Sequence, residues 1–201
     1  MRATIGLFLA TAALMAGGCD RQSTASGQGD GANVAIEDAS APAPDEAVAR
    51  PTGLAATGTY DRSHAGEAAP GFGFSDPAGK AVTLAAYRGK PVLLNLWATW
   101  CAPCVKEMPT LDALAAREGA KLQVIALSQD LEPGKVAPFW AKGGFRAIQS
   151  ATDPKLAFST GLGANLPTTI LYNAQGREVW RFTGSTDWAG DEAKARIAEA
   201  S

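Results

Sequence analysis

The sequence has few residues of the kind that bind metals or cross-link chains: its 201 residues include one His and three Cys. Three thiols and one imidazole do not build a structural zinc site without help from carboxylates, and a scaffold of several disulfides needs more thiols. The sequence therefore predicts neither a resident metal nor a cofactor. Each cysteine has to be interpreted by itself.

An excess of either charge is also missing. The chain has 18 Lys and Arg residues against 20 Asp and Glu residues, a formal net charge of -2. A nucleic-acid-binding protein normally has a basic excess that meets the phosphates. We therefore expect no nucleic-acid partner.

Hydrophobic runs of membrane-spanning length are absent as well. An apolar run of small residues, 5–18, follows Arg2. As a helix it would rise only ~21 Å, against a hydrocarbon core of ~30 Å. Residues 1–18 are predicted to form a secretory signal peptide, because they have a charged start, an apolar middle and small residues at the end. Such a signal directs the mature protein to an oxidising compartment.

The end of this signal resembles a bacterial lipobox. It reads Leu14-Met15-Ala16-Gly17-Gly18-Cys19, with Ala16 at the place where lipoboxes prefer Leu. The resemblance implies that Cys19 is acylated and anchors a lipoprotein to the periplasmic side of the inner membrane, with Asp20 as the retention residue. The alternative is a plain signal peptide cut near Ala16, which leaves a soluble periplasmic protein.

Residues 19–69 are predicted to form a flexible, lipid-anchored tether. They are rich in Ala, Ser, Gly, Pro, Asp and Glu, and Tyr60 is their one aromatic residue. Such a segment buries too little apolar surface to offset its conformational entropy. His64 lies within it, and we expect this histidine to be exposed and without function.

Residues 70–201 are predicted to form one α/β domain. Two short apolar pieces around a turn at 76–80 indicate a hairpin, and the apolar run 91–97 is typical of a strand buried on both faces. Apolar residues at three- and four-residue steps then predict a helix from Pro103 to about Gly119. Further elements are expected as a strand at 121–128, a helix at 133–142, a strand at 145–149, a small helix ending near 161, a hairpin of 168–172 with 178–182, and a helix at 188–200.

The residues with evident chemistry are Cys101 and Cys104, two thiols two residues apart between the buried strand and the helix. At a helix start, backbone N–H groups and the helix dipole favour a thiolate, which makes Cys101 the predicted nucleophile. Cys104 would resolve the mixed disulfide by closing the Cys101–Cys104 bond. Two alternatives stay open: a structural staple, whose short loop stabilises by only ~2 kcal/mol, and half of a copper site with Met108 as a soft ligand.

The run GKPVLLNLWATWCAPC at residues 89–104, continued by Glu107-Met108-Pro109, resembles the TlpA/ResA-like thiol-disulfide oxidoreductases of the thioredoxin superfamily. The resemblance implies an α/β thioredoxin fold: a central mixed sheet flanked by helices, with an N-terminal β-hairpin and a central strand–helix insertion between about residues 145 and 161. It also implies a protein-disulfide reductase outside the cytoplasm, acting in some members on apocytochrome c. Electrons would come from a membrane carrier of the DsbD or CcdA kind.

The resemblance also implies a substrate-binding loop. Pro167 matches the cis-proline of the family, and Leu166 and Thr168 flank it. Their backbone would pair with an extended substrate segment. Thr168 replaces the acidic residue that follows this proline in CcmG-type cytochrome maturation proteins, which favours a broader reductase.

Further positions near the cysteines are predicted to take part. Glu107 lies on the same helix face as Cys104, and the resemblance implies that, as a partly buried carboxyl group, it would exchange a proton with that thiol. The alternative for Glu107 is a solvated charge on the helix surface. Asn95 stands where cytoplasmic thioredoxins have a buried Asp, so this proton transfer would fall to Glu107. Trp100 and Pro103 are expected in the substrate-contact surface.

Two other functions use the same residues. A disulfide oxidase or isomerase differs from a reductase only in how strongly it stabilises the reduced pair, which the sequence leaves open. A binding module for copper or for thiol proteins is the other alternative. A peroxidase is disfavoured, because Ala98 stands where peroxiredoxins have Thr.

Overall fold

The computed structural model describes residues 55–200, and the predicted signal peptide and Cys19 lie outside them. In this described part of the chain, eight strands form one sheet in the order β1-β8-β7-β4-β5-β6-β2-β3. The strands are β1 Thr59–Asp61, β2 Phe74–Ser75, β3 Ala81–Val82, β4 Val92–Trp97, β5 Gln123–Ser128, β6 Gln149–Thr152, β7 Thr168–Tyr172 and β8 Glu178–Thr183. Strands β4, β5 and β6 are parallel. On the other side of β4, each added strand is antiparallel to its neighbour: β7 to β4, β8 to β7 and β1 to β8. The sheet is therefore mixed, as predicted.

Within residues 55–200, four α-helices pack with the sheet: α1 Ala102–Glu118, α2 Val136–Gly143, α3 Ala157–Gly161 and α4 Asp191–Ile197. The longest, α1, begins with Pro103 in its first turn and ends at Gly119, whose φ of 52° lies in the region that favours glycine. Its apolar residues recur every three or four positions, so Met108, Leu111 and Leu114 are fully buried on one face. No helix within 55–200 is both long and apolar enough to cross a membrane.

The sheet separates two apolar cores, because side chains along each strand point alternately to its two faces. Leu93 of β4 joins the core that contains Met108 of α1 and Ile197 of α4. Leu94 joins the other core, which contains Phe158 of α3. All six residues of β4 are buried, as a strand covered on both faces requires.

The predicted N-terminal hairpin is present as β2 and β3, which pair antiparallel. Its turn is held by Asp76, whose Oδ1 accepts hydrogen bonds from the N–H groups of Ala78 and Lys80, both at 2.9 Å. The predicted central insertion is also present, as β6 followed by α3.

The predicted strand at 145–149 is wrong, because β6 occupies Gln149–Thr152 instead. Asp112 of α1 explains the shift. Its Oδ1 accepts hydrogen bonds from the backbone N–H groups of Arg146, Ala147 and Ile148 at 3.0, 2.8 and 3.0 Å. These three residues are therefore fixed to α1 as a loop, and the strand starts after them.

The last helix is shorter than the predicted 188–200, since α4 covers Asp191–Ile197 and a 3₁₀ turn follows at Ala198–Ala200. Trp188 stays outside the helix. Its backbone N–H donates to Thr110 Oγ1 on α1 at 3.1 Å.

The predicted tether extends too far along the chain, because its last residues belong to the domain. Strand β1 pairs with β8, and Ala68 forms a bridge with Arg177. The Tyr60 ring packs on Trp180 and Phe182, with ring centroids 5.1 and 4.7 Å apart. Pairing with β8 and the packing of the Tyr60 ring therefore bind β1 to the domain, although the composition of this segment predicts a coil.

Within this segment, His64 is partly exposed and its Nδ1 lies 3.1 Å from Glu67 Oε2. The folded domain therefore includes residues before the predicted boundary at Pro70.

Candidate active site

The two cysteines lie where β4 ends and α1 begins. Cys101 is the N-cap residue of α1, and its Sγ accepts a hydrogen bond from the Cys104 N–H at 3.4 Å. The two residues form a disulfide, with their Cα atoms 5.3 Å apart. Cys101 is 5% exposed and Cys104 is fully buried. An incoming sulfur atom would therefore reach Cys101 first.

The loop before β7 lies at the same edge of the sheet. Strand β7 is antiparallel to β4 and Thr168 pairs with Leu96, so β7 begins where β4 ends. The Leu166–Pro167 peptide bond is cis, as the family resemblance implies. The Pro167 carbonyl accepts a hydrogen bond from the Gly184 N–H at 2.9 Å. Because proline has no N–H, Pro167 has no backbone N–H donor for a substrate, and its carbonyl is already paired.

Glu107 lies one turn along α1 from Cys104 and is fully buried. Three donors hold its carboxylate. Asn95 Nδ2 donates to Oε1 at 2.8 Å, and Oε2 accepts from Trp188 Nε1 at 3.0 Å and from the Thr186 N–H at 3.3 Å. The carboxyl group therefore has a fixed position in the core.

Burial raises the pKa of Glu107 to about 7, because desolvation disfavours the charged form, and the three hydrogen bonds oppose this shift only in part. A carboxyl group with such a pKa gains and loses its proton near neutral pH. That is the property required of a general acid or base. The position next to the buried Cys104 suits the predicted proton exchange.

The side chains around Glu107 include two that the sequence does not single out as partners. Trp188 looks like a packing residue in the sequence, yet its indole N–H reaches the carboxylate across 81 positions of chain. Asn95 Nδ2 also donates to Thr169 Oγ1 at 3.0 Å, while Asn95 Oδ1 finds no donor among residues 55–200. Only the fold brings β4, α1 and the segment after β8 to one point, so no local pattern reveals this group.

The structure brings the predicted site residues to one edge of the sheet. Trp100, which precedes the nucleophile, is 70% exposed. Pro103 is exposed in the first turn of α1, whereas Met108 is fully buried in the core. Residues 55–200 contain no group of three or more His, Cys, Asp or Glu side chains placed to hold a metal ion.

Comparison with known proteins agrees with this geometry. The profile of the Redoxin family matches residues 64–198. The chain belongs to the Redoxin family. Within it, the chain is 33% identical over 126 residues to the thiol-disulfide oxidoreductase ResA of Bacillus thuringiensis (strain Al Hakam), an alignment that covers 62% of this chain and 72% of that protein. It is 41% identical over 125 residues to ResA of Bacillus cereus (strain ATCC 10987 / NRS 248), with the same two coverages.

Among solved structures, this Redoxin domain resembles a thiol:disulfide interchange protein DsbE from Chlorobium tepidum. The TM-score is 0.61 with 28% sequence identity, and the match covers 68% of this chain and 96% of the other. The predicted TlpA/ResA-like resemblance, the thioredoxin fold and the class of thiol-disulfide oxidoreductase are thereby confirmed. The roles assigned to individual site residues stay predictions.

Proposed function

We propose that this Redoxin-family chain is an extracytoplasmic reductase of protein disulfides. The observation that carries the redox role of the cysteine pair is the buried Glu107 carboxyl group, whose pKa is raised to about 7, one helical turn from the buried Cys104. The reducing direction is the part of the proposal that the reduction potential tests. A structural disulfide does not need a proton acceptor beside its inner sulfur. A thiol that must lose its proton in every catalytic cycle does need one.

In the proposed reaction, the Cys101 thiolate attacks one sulfur of the substrate disulfide. The substrate S–S bond breaks, a mixed disulfide forms, and the first substrate sulfur leaves as a thiolate. Cys104 then gives its proton to Glu107 and attacks Cys101 Sγ. The Cys101–Cys104 bond forms, the second substrate thiolate leaves, and Glu107 returns its proton to solvent or to that thiolate. Two electrons pass from the chain to the substrate.

The cis-proline loop would position the substrate. Because Pro167 offers no backbone donor and its carbonyl is already bonded to Gly184, backbone pairing with an extended substrate falls to Leu166. Thr168 is held on the other side of the proline, where its hydroxyl donates to the Asn165 carbonyl at 2.6 Å. Leu166 is thus the proposed substrate-pairing residue of the loop.

A reductase outside the cytoplasm needs electrons from elsewhere. A membrane carrier of the DsbD or CcdA kind is the proposed donor, passing electrons to the disulfide through a mixed disulfide with Cys101. The substrates would be disulfide-containing proteins, apocytochrome c being one candidate.

The direction of the reaction is tested by the reduction potential of the Cys101–Cys104 pair. The full chain is equilibrated with glutathione or dithiothreitol buffers, and the free thiols are counted after alkylation. A value at or below about -230 mV is expected for a reductase. A value near about -120 mV, as in strong oxidants, would make the chain a disulfide donor instead.

We further propose that Cys19 is acylated and holds the domain at the periplasmic side of the inner membrane. The support is the lipobox-like stretch that ends at Cys19. Cys19→Ser should move the protein from the membrane fraction to the soluble fraction and abolish labelling by a clickable fatty acid. Unchanged fractionation and no labelling of the unsubstituted chain would favour the soluble periplasmic form.

A further inference from the structure

Two large apolar side chains stand out on the surface of the described chain. Trp100 is 70% exposed and Leu131 is 71% exposed, and every other large hydrophobic side chain in residues 55–200 is at least partly buried. A single exposed apolar residue is ordinary in a soluble protein. Two of them on adjacent loops at one edge of the sheet favour a contact surface.

The parallel strands place these two residues at the same edge of the sheet. Trp97 of β4 and Ser128 of β5 are register partners, and the Gln129 N–H donates to the Trp97 carbonyl at 2.7 Å just beyond them. Trp100 follows Trp97 by three positions, and Leu131 follows Ser128 by three positions. Both side chains therefore belong to adjacent loops that leave the sheet side by side.

A buried carboxylate joins the two loops. Asp130 is 2% exposed, and it accepts hydrogen bonds from the Thr99 N–H at 3.0 Å, the Thr99 hydroxyl at 2.7 Å and the Ser128 hydroxyl at 2.8 Å. The residue before Trp100 is thus bonded to the residue before Leu131. Loops fixed in this way lose little conformational entropy when a partner binds.

We propose that Leu131 and Trp100 together bind an apolar side chain of the substrate polypeptide, close in sequence to the cysteine that is attacked. The occupant is an extended substrate segment, because its sulfur must reach Cys101, the residue next to Trp100. This proposal rests on the proposed function for the nature of the substrate. It adds a specificity residue, Leu131, on the loop after β5, which does not contain the cysteines.

The charges beside Leu131 favour an apolar partner over a charged one. Glu132 Oε1 and Lys135 Nζ form an ion pair with each other at 3.0 Å. Their opposite charges compensate, so this pair adds no net charge beside Leu131. Recognition at Leu131 would therefore depend on apolar contact.

The test measures the stability of the mixed disulfide. Cys104→Ser in the full chain stops the reaction at the Cys101 mixed disulfide, and two peptides are compared that differ only by Leu or Ser next to their single cysteine. Each is equilibrated in a glutathione buffer, and the mixed disulfides are quantified by mass spectrometry. The quantity of interest is the ratio of the two exchange constants, Leu peptide over Ser peptide.

Leu131→Asn is expected to lower this ratio about tenfold, whereas Leu131→Met should keep it within about twofold. Val179→Asn is the control for a general effect of placing Asn at an apolar position, since Val179 is partly buried against the core. Val179 lies on β8 next to Glu178, which pairs with Tyr172 opposite the start of β4, so it is at the far end of the sheet. This variant should leave the ratio unchanged.

A ratio that Leu131→Asn does not change, or that Val179→Asn changes as much, would overturn the proposal. The measurement does not depend on the direction of electron flow. If the reduction potential of the Cys101–Cys104 pair is strongly oxidising but Leu131→Asn still lowers the ratio of exchange constants, the reductase proposal is wrong and the proposed binding surface is supported.

Discussion

At the scale of single residues, Glu107 links the chemistry of the site to the stability of the fold. Its pKa is raised from 4.5 to about 7 in the folded chain. A carboxyl group with a raised pKa stabilises the fold while it is protonated. This contribution is complete below about pH 4.5 and is lost as the pH rises through 7.

Glu107→Gln should remove this pH dependence, because the amide does not titrate. Between pH 4.5 and pH 8 the free energy of unfolding of the unsubstituted chain should fall by about 3 kcal/mol relative to that of the variant. Urea denaturation of the oxidised chains at both pH values measures this difference. Glu132→Gln is the control, since this exposed side chain lies outside the core. Parallel stability curves for Glu107→Gln and the unsubstituted chain would contradict the assignment.

The indole of Trp188 is a positioning group for the same carboxylate. Its N–H stabilises the ionised form, so Trp188→Phe should raise the pKa of Glu107 further, by about one unit. The titration is followed by the ¹³C resonance of the Glu107 carboxyl group, assigned with Glu107→Gln.

Trp180→Phe is a matched control for this substitution. Trp180 stacks on Trp188, with ring centroids 6.4 Å apart, but its own N–H donates to the Arg196 carbonyl. It should leave the Glu107 titration in place. Equal shifts in the two variants would assign the effect to packing instead of to the hydrogen bond.

At the scale of elements, strand β1 shows where composition misleads. Its residues read as a coil, but Tyr60 packs on two aromatic rings, and Arg196 lies over its ring at 4.7 Å. Tyr60→Ala should therefore destabilise the domain by about 2 kcal/mol, and Tyr60→Phe by less than about 1 kcal/mol. Urea denaturation of the full chain measures both. If Tyr60→Ala is as stable as the unsubstituted chain, β1 does not stabilise the domain, and the segment belongs to the predicted tether.

The elements that the sequence predicts well are those with a strong local pattern. The apolar run of β4, the three- and four-residue spacing of α1 and the turn-bounded hairpin of β7 and β8 are all present. The errors occur where a distant side chain decides the local structure. Asp112 moves the start of β6, and Thr110 holds Trp188 outside α4.

The same reasoning applies to the candidate site. The pair Cys101 and Cys104 follows from its spacing at a strand–helix junction, and the role of Glu107 follows from the family resemblance. The donors Asn95 and Trp188 come from opposite ends of the domain sequence and meet only in the folded chain. Sequence reasoning therefore finds the reacting groups and misses the residues that tune them.

At the scale of the whole molecule, the proposed direction of electron flow is linked to the stability of the fold. One thermodynamic cycle connects the folded and unfolded chains in their oxidised and reduced forms. A protein that reduces its substrates must favour its own disulfide, so its folded state must be more stable when oxidised than when reduced. Strong oxidants show the reverse, because their reduced form is the stabilised one.

The oxidised full chain should therefore unfold with a free energy about 2 kcal/mol higher than that of the reduced chain, the value expected from closing a four-residue loop in the unfolded state. The comparison uses urea denaturation at pH 7 with and without dithiothreitol. Cys101→Ser with Cys104→Ser is the control, because a chain without the thiol pair should show the same stability under both conditions. A reduced chain more stable than the oxidised one would mean that the fold holds its dithiol in preference to its disulfide. Such a chain would pass its disulfide to substrates, and the reductase would be excluded.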